Sequence, residues 1–157
     1  MTLFTFGYEG LTIETFIVRL QAEGVTTVLD VRQLPLSRKR GFSKASFKAA
    51  LEDASIVYQH LSALGCPTEI RRRYKETGDW AAYAKAYNAY LARRADDVVA
   101  VVRIAKRGKA CLVCFEADFT RCHRSLISRA AERAGAPRAI HLAIKAEMPA
   151  AAGRVAA

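Results

Sequence analysis

The chain has 157 residues and a mass of 17.3 kDa, enough for one domain with a single sizeable core. Apolar residues make up 52% and the mean hydropathy is +0.02, which excludes wholesale disorder. No apolar run approaches the ~20 residues that span a bilayer, so no membrane role is expected.

Twenty-five Lys and Arg against 15 Asp and Glu give a net charge of +10, which favours an anionic small molecule or nucleic acid as partner. Nothing in the composition specifies an oligomeric state. The N-terminal residues read as a strand, without the basic region and cleavage site of a secretory signal, so a cytoplasmic location is expected. In that compartment the four cysteines read as free thiols or ligands, not as disulfides.

Residues 2–8 form a short apolar strand that ends in a Gly-bearing turn. Thr12 caps the next helix, where Ile13, Phe16, Ile17 and Leu20 recur at helical spacing before Gly24 ends it. Residues 25–31, short and β-branched, read as a second strand. The crossover of roughly a dozen helical residues makes these two strands parallel. A basic loop over 32–44 leads to a helix that ends near residue 54, with Phe47, Ala50 and Leu51 on one face. Residues 56–61 are a third strand.

Residues 62–78 read as polar and irregular, and carry the basic string Arg71-Arg72-Arg73-Tyr74-Lys75. Asp79 caps a helix whose Trp80, Tyr83, Ala84, Tyr87 and Leu91 make an apolar, core-facing stripe. A further helix runs from about Asp96 to Lys106, then a fourth strand over 109–115. A helix over 121–134, closed by Gly135 and Pro137, and a short strand over 139–142 complete a domain of residues 1–144. Residues 145–157 form an alanine- and proline-rich tail without periodicity, expected to fray.

This order predicts the α/β class: a single three-layer domain whose mostly parallel sheet has about five strands, with helices on both faces. Such sheets bind ligands beyond the carboxyl ends of their strands. Strand one ends at Tyr8, strand two at Asp30-Val31-Arg32, strand three near His60 and strand four at Cys114-Phe115-Glu116. The polar and reactive residues therefore gather at one sheet edge.

Separated motifs across residues 3–142 resemble the DUF488 family, a domain of unknown function. They are Thr5-Phe-Gly-Tyr-Glu9, Asp30-Val-Arg32 followed by Ser37-Arg38, Tyr58 with His60-Leu-Ser-Ala-Leu-Gly65, and Cys114-x-Glu116-x₅-Cys122-His123-Arg124. The chain has Cys66 where the family typically has a second glycine, and Phe119 where many members have proline; Cys111 lies outside the pattern. The resemblance implies the α/β fold and the site location, and brings no activity with it.

The residues themselves carry the chemistry. His123 near the start of a helix is the candidate acid–base group, with Asp30 or Glu116 as its partner. The alternative for His123 is a packed imidazole satisfied by Asp30 or a backbone carbonyl, and the alternative for Asp30 and Glu116 is structural pairing with Arg32 and Arg124. Cys122, expected in the first helical turn after a cap by Asp118 or Thr120, is a candidate nucleophile or redox thiol, or else a buried inert one. Arg32, Arg38 and Arg124 suit an anion clamp. Tyr8, Tyr58 and Cys114 complete the expected substrate-binding set, and Phe42, Tyr58 and Tyr74 offer aromatic faces for a base.

Metal is not expected. Cys111 and Cys114, three apart on a strand, face opposite ways, although Cys114, Cys122 and His123 remain a three-ligand set. No cofactor is expected either. Gly7-x₂-Gly10 is not a dinucleotide turn, no Walker-type loop is present, and six residues, not five, separate Cys114 from Arg121, against a phosphatase loop. Ser125 lies in no nucleophile elbow. The preferred reading is a small enzyme acting on a phosphate-bearing substrate, a nucleotide or nucleic-acid end. The alternatives are a non-catalytic nucleic-acid or nucleotide binding module and a thiol-redox or metal-binding protein.

Overall fold

Strands buried on both faces need buried side chains at successive positions, and the three central strands of the sheet have them, whereas the two edge strands do not. In the computed structural model, which describes residues 1–143, β1 (Thr2–Gly7), β2 (Thr27–Asp30), β3 (Val57–His60), β4 (Lys109–Cys114) and β5 (Ile140–His141) form one sheet. The order is β3-β2-β4-β1-β5 and every neighbouring pair is parallel. The expected tail from Lys145 lies outside the described residues.

Adjacent strand residues divide between two cores. Phe4, Val28 and Cys111 pack on one face with Phe16 and Leu20 of α1 (Ile13–Ala22) and Phe47 and Leu51 of α2 (Lys44–Asp53). Leu3, Leu29 and Leu112 pack on the other. There they meet Tyr87 and Leu91 of α4 (Trp80–Ala92), Val98 and Val101 of α5 (Ala95–Arg107), and Leu126 and Ile127 of α6 (His123–Arg133). The fold is a three-layer α/β domain. Among the described residues no helix is long and apolar enough to cross a membrane.

Two local expectations are corrected. Residues 62–78 are not irregular: a short 3₁₀ turn (Ser62–Leu64) precedes a regular helix, α3 (Thr68–Thr77). This helix has no fully buried residue, and only Ile70 and Tyr74 pack on the core, so it lacks a strong apolar period. It is supported by its C-terminal cap and its charges. Gly78 closes it in the left-handed conformation, and Arg72 bonds Glu69 and Glu76, both at 2.7 Å, on adjacent turns.

The second correction concerns the start of α6. Asp118 accepts the Thr120 N–H at 2.9 Å and so caps a separate 3₁₀ turn, Phe119–Arg121. The chain then re-extends at Cys122 (φ −138°, ψ 142°), which is the N-cap of α6 and not a first-turn residue.

The topology creates a crevice. From β2 the chain leads through α2 to β3 at one edge; from the adjacent β4 it leads through α6 past β1 to β5 at the other. The two connections diverge on opposite faces beyond the carboxyl ends of β2 and β4, which is the switch point where such sheets open.

Candidate functional site

At the end of β2 stands a closed polar network. Asp30 is fully buried and its carboxylate accepts four hydrogen bonds: from the Arg32 backbone N–H (3.2 Å), Arg32 Nε (2.9 Å), Arg32 Nη2 (2.8 Å) and the Tyr58 hydroxyl (2.7 Å). Those donors fill its acceptor sites. The remaining Arg32 nitrogen, Nη1, donates to the Phe42 carbonyl at 2.6 Å and the Tyr8 hydroxyl at 3.1 Å. Burial alone would lower the Arg32 guanidinium, but the facing Asp30 carboxylate outweighs it and raises it. Tyr58 is pushed up by burial and by its hydrogen bond to Asp30.

The end of β4 is built around Arg124, which is fully buried although charged. Its Nε donates to Thr5 Oγ1 (3.2 Å), Nη1 to Cys114 Sγ (3.1 Å) and to the Glu116 carbonyl, and Nη2 to the Ala117 carbonyl (3.2 Å). This guanidinium fastens the loop after β4 to the sheet. Gly7 makes room for the loop, because a Cβ there would lie 1.8 Å from the Glu116 carbonyl oxygen.

Glu116 turns its side chain toward the sulfurs: Oε2 accepts from Cys114 Sγ at 3.4 Å and from Cys122 Sγ at 3.3 Å. His123 Nε2 donates to the Val31 carbonyl at 2.7 Å, leaving Nδ1 3.8 Å from Cys122 Sγ. Burial pushes the Cys114 thiol well up, and its hydrogen bond with Cys122 adds to the rise. The ligand atoms of Cys114, Cys122 and His123 all lie within 4.8 Å of one another.

Above these groups opens a cleft of about 1010 Å³. Arg32, Arg38, Arg71, Arg72, Lys75 and Arg121 line it, with Glu116 the only carboxylate among the described residues of its lining. Arg32 is paired with Asp30, and Arg72 with Glu69 and Glu76. Arg38, Arg71, Lys75 and Arg121 have no salt-bridge partner among the described residues.

Of the residues expected from the sequence, Tyr8, Arg32, Arg38, Cys114, Glu116, Cys122 and His123 meet at this cleft. Asp30, Tyr58 and Arg124 do not line it; they hold its walls. The Asp30 carboxylate bonds Arg32 and Tyr58, while His123 takes the backbone-carbonyl partner that was its structural alternative. Phe42 offers no face to a base, being fully buried and stacked on Tyr8 at 4.2 Å. Tyr74 does reach the cleft, from α3.

Cys66, Gln33 and Tyr83 line the cleft without having been singled out for it. Cys66 follows the third strand at the same carboxyl edge, so the edge rule itself points to it. Burial pushes its thiol up to about 11. Gly65 beside it is needed, because a Cβ there would lie 2.3 Å from Gln33 Cα. Tyr83 belongs to the core stripe of α4 and presents one edge to the cleft.

A parallel α/β domain with a cationic cleft at its switch point is thus the class that fold and site define. The family model described as Domain of unknown function DUF488 matches residues 12–131, and the chain belongs to that family. No curated protein and no solved structure matches it.

Proposed function

We propose that the protein binds a phosphate-bearing anion, a nucleotide or a nucleic-acid end, in the switch-point cleft and acts on it with the groups at the cleft floor. The observation that carries this reading is charge: six cations and a single carboxylate line one cavity, and four of those cations lack a salt-bridge partner among the described residues. Arg71 and Lys75, one helical turn apart on α3, line the cleft together with Arg38 of the loop after β2 and Arg121 of the 3₁₀ turn after β4. Clefts lined by one sign of charge concentrate ligands of the other.

At the floor, Glu116 and His123 supply the proton-transfer groups, with Cys122 beside them. Arg32 is fixed in the wall by Asp30, and Arg124 keeps the Glu116 loop in place, so these two arginines position the site while the outer cations meet the anion. A reactive thiolate at Cys114 is disfavoured, because burial raises that thiol.

The test is a thermal-shift series with a nucleoside, its mono-, di- and triphosphates, and oligonucleotides with and without a 5′-phosphate. The phosphorylated members should raise the melting temperature while the nucleoside leaves it unchanged. Arg71→Ala with Lys75→Ala should weaken binding at least about tenfold, near 1.4 kcal/mol. Equal shifts for nucleoside and nucleotide, or none for either, would overturn the reading. Glu116→Gln then separates enzyme from binding module: turnover lost with binding kept supports catalysis, and binding without turnover in the parent protein supports the module.

A further inference from the structure

We propose that Cys114, Cys122 and His123 form a site for one divalent ion of the zinc class at the floor of the cleft, with its fourth coordination position open to the cleft. The assignment rests on the floor residues alone and does not depend on the anion-binding reading; with the ion bound, His123 is a ligand and Glu116 is the proton-transfer group that remains.

Donor chemistry comes first. Two thiols and an imidazole are a soft-to-borderline set that suits zinc over magnesium or calcium. Three protein ligands with an open fourth position are the pattern of catalytic zinc sites, whereas four protein ligands mark structural ones. Cys111 is excluded from the set, since it packs in the opposite core with α1 and α2, while Cys114 and Cys122 share the core on the α6 side.

Geometry comes second. The three donor atoms lie within 4.8 Å of one another, and Cys122 Sγ is 3.8 Å from His123 Nδ1. Tetrahedral coordination at ordinary zinc–sulfur and zinc–nitrogen lengths separates such a pair by ~3.6 Å. Small side-chain rotations close the difference. The donors also sit on rigid elements: Cys114 ends β4, Cys122 is the N-cap of α6 and His123 its first residue.

The surroundings of the donors are those of ligands. His123 Nε2–H is held by the Val31 carbonyl at 2.7 Å, which leaves the Nδ1 lone pair directed to the sulfurs. Arg124 Nη1 donates to Cys114 Sγ at 3.1 Å, an interaction that stabilises a thiolate more than a thiol. Glu116, whose carboxylate accepts from both sulfurs, lies outside the three-atom set and lines the cleft. On metal binding both thiol protons leave to solvent. The Glu116 carboxylate is then free to accept a proton from a water or substrate hydroxyl at the open position.

The experiment uses chelator-treated full-length protein titrated with Co²⁺, then with Zn²⁺. Expected is saturation at one equivalent, with sulfur-to-cobalt charge-transfer absorption and the intense visible bands of a tetrahedral ion, both removed by one equivalent of Zn²⁺. Cys122→Ser should reduce the charge-transfer absorption, with one thiolate left in place of two, or weaken Co²⁺ binding at least tenfold, whereas Cys111→Ala should keep both. Should Cys122→Ser fail to fold, His123→Asn, which keeps both sulfurs, should weaken Co²⁺ binding at least tenfold. A folded parent protein without these bands, or bands and affinity unchanged in the folded variant, would overturn the assignment. Nucleotide binding is measured separately on the metal-free protein, so a failure of one reading is distinguishable from a failure of the other.

Discussion

A planar guanidinium can hold several acceptors in fixed geometry, and this protein buries two of them for that purpose. Arg32 locks the end of β2 through Asp30, and Arg124 locks the end of β4 through carbonyls and a hydroxyl. Asp30→Asn leaves the Arg32 charge buried without its counter-ion, and should cost about 3–5 kcal/mol in urea unfolding. Arg124→Lys cannot span the same acceptors; it should destabilise by about 1–3 kcal/mol while also weakening any ligand that requires the Glu116 loop. His141, bonded to Thr5 at 2.7 Å and stacked on Phe119, is held below its ordinary range by burial and then by the Arg124 charge. In the window below the ordinary value of about 6.5 the unfolded chain binds the proton and the folded chain does not, so stability rises with pH there. It should therefore fall as pH drops from roughly 7 to roughly 5, and His141→Asn should flatten that slope in denaturant titrations.

The connection from β4 to α6 decides where the reactive groups stand. Asp118 caps a short turn, the backbone re-extends at Cys122, and α6 then starts with His123 against the carbonyl of Val31, the residue after β2. The same path brings Glu116 across Gly7 with no room for a side chain. Gly7→Ala should cost about 1–3 kcal/mol and, because the loop must move to relieve the overlap, should reduce ligand or Co²⁺ binding at the same time. A loss of stability with binding intact would place the strain elsewhere. On the opposite wall, α3 is an element of charge pairs and a glycine cap, and its cleft-facing cations are supported by only two core-packed side chains.

At the level of the molecule, an excess of ten positive charges is uneven in its consequences. Six cations share the lining of one cleft, and Glu116 is the carboxylate among the described residues that line it, whereas a pair such as Lys48–Glu52 on α2 cancels its own charge. Binding of a phosphorylated ligand should thus weaken as salt is raised, because surface charges separated by more than ~10 Å are screened at moderate ionic strength. Oligonucleotides should show a steeper dependence than mononucleotides, since they displace more counterions. Measuring both across a salt series checks this, and a flat response for both would count against an electrostatic cleft.

The α/β class, the parallel sheet and the edge that carries the candidate site follow from the sequence alone, because apolar period and run length are local properties. Phe16 and Leu20 announce α1, and the unbroken run ending at Cys114 announces a strand buried on both faces. The helix α3 escaped that logic, since it is supported by a C-terminal glycine cap and ion pairs instead of an apolar stripe. Within the site, the gathering of Arg32, Arg38, Cys114, Cys122 and His123 at one edge was legible from strand ends. Which groups face the cleft and which hold it was not. Asp30 is saturated by Arg32 and Tyr58, Arg124 by Thr5 and the loop carbonyls, and Phe42 is covered by Tyr8. Those partners come from distant segments, and a buried charge takes whichever donors the fold brings within about 3 Å. Sequence spacing sets the edge; tertiary contact decides which polar groups remain available there.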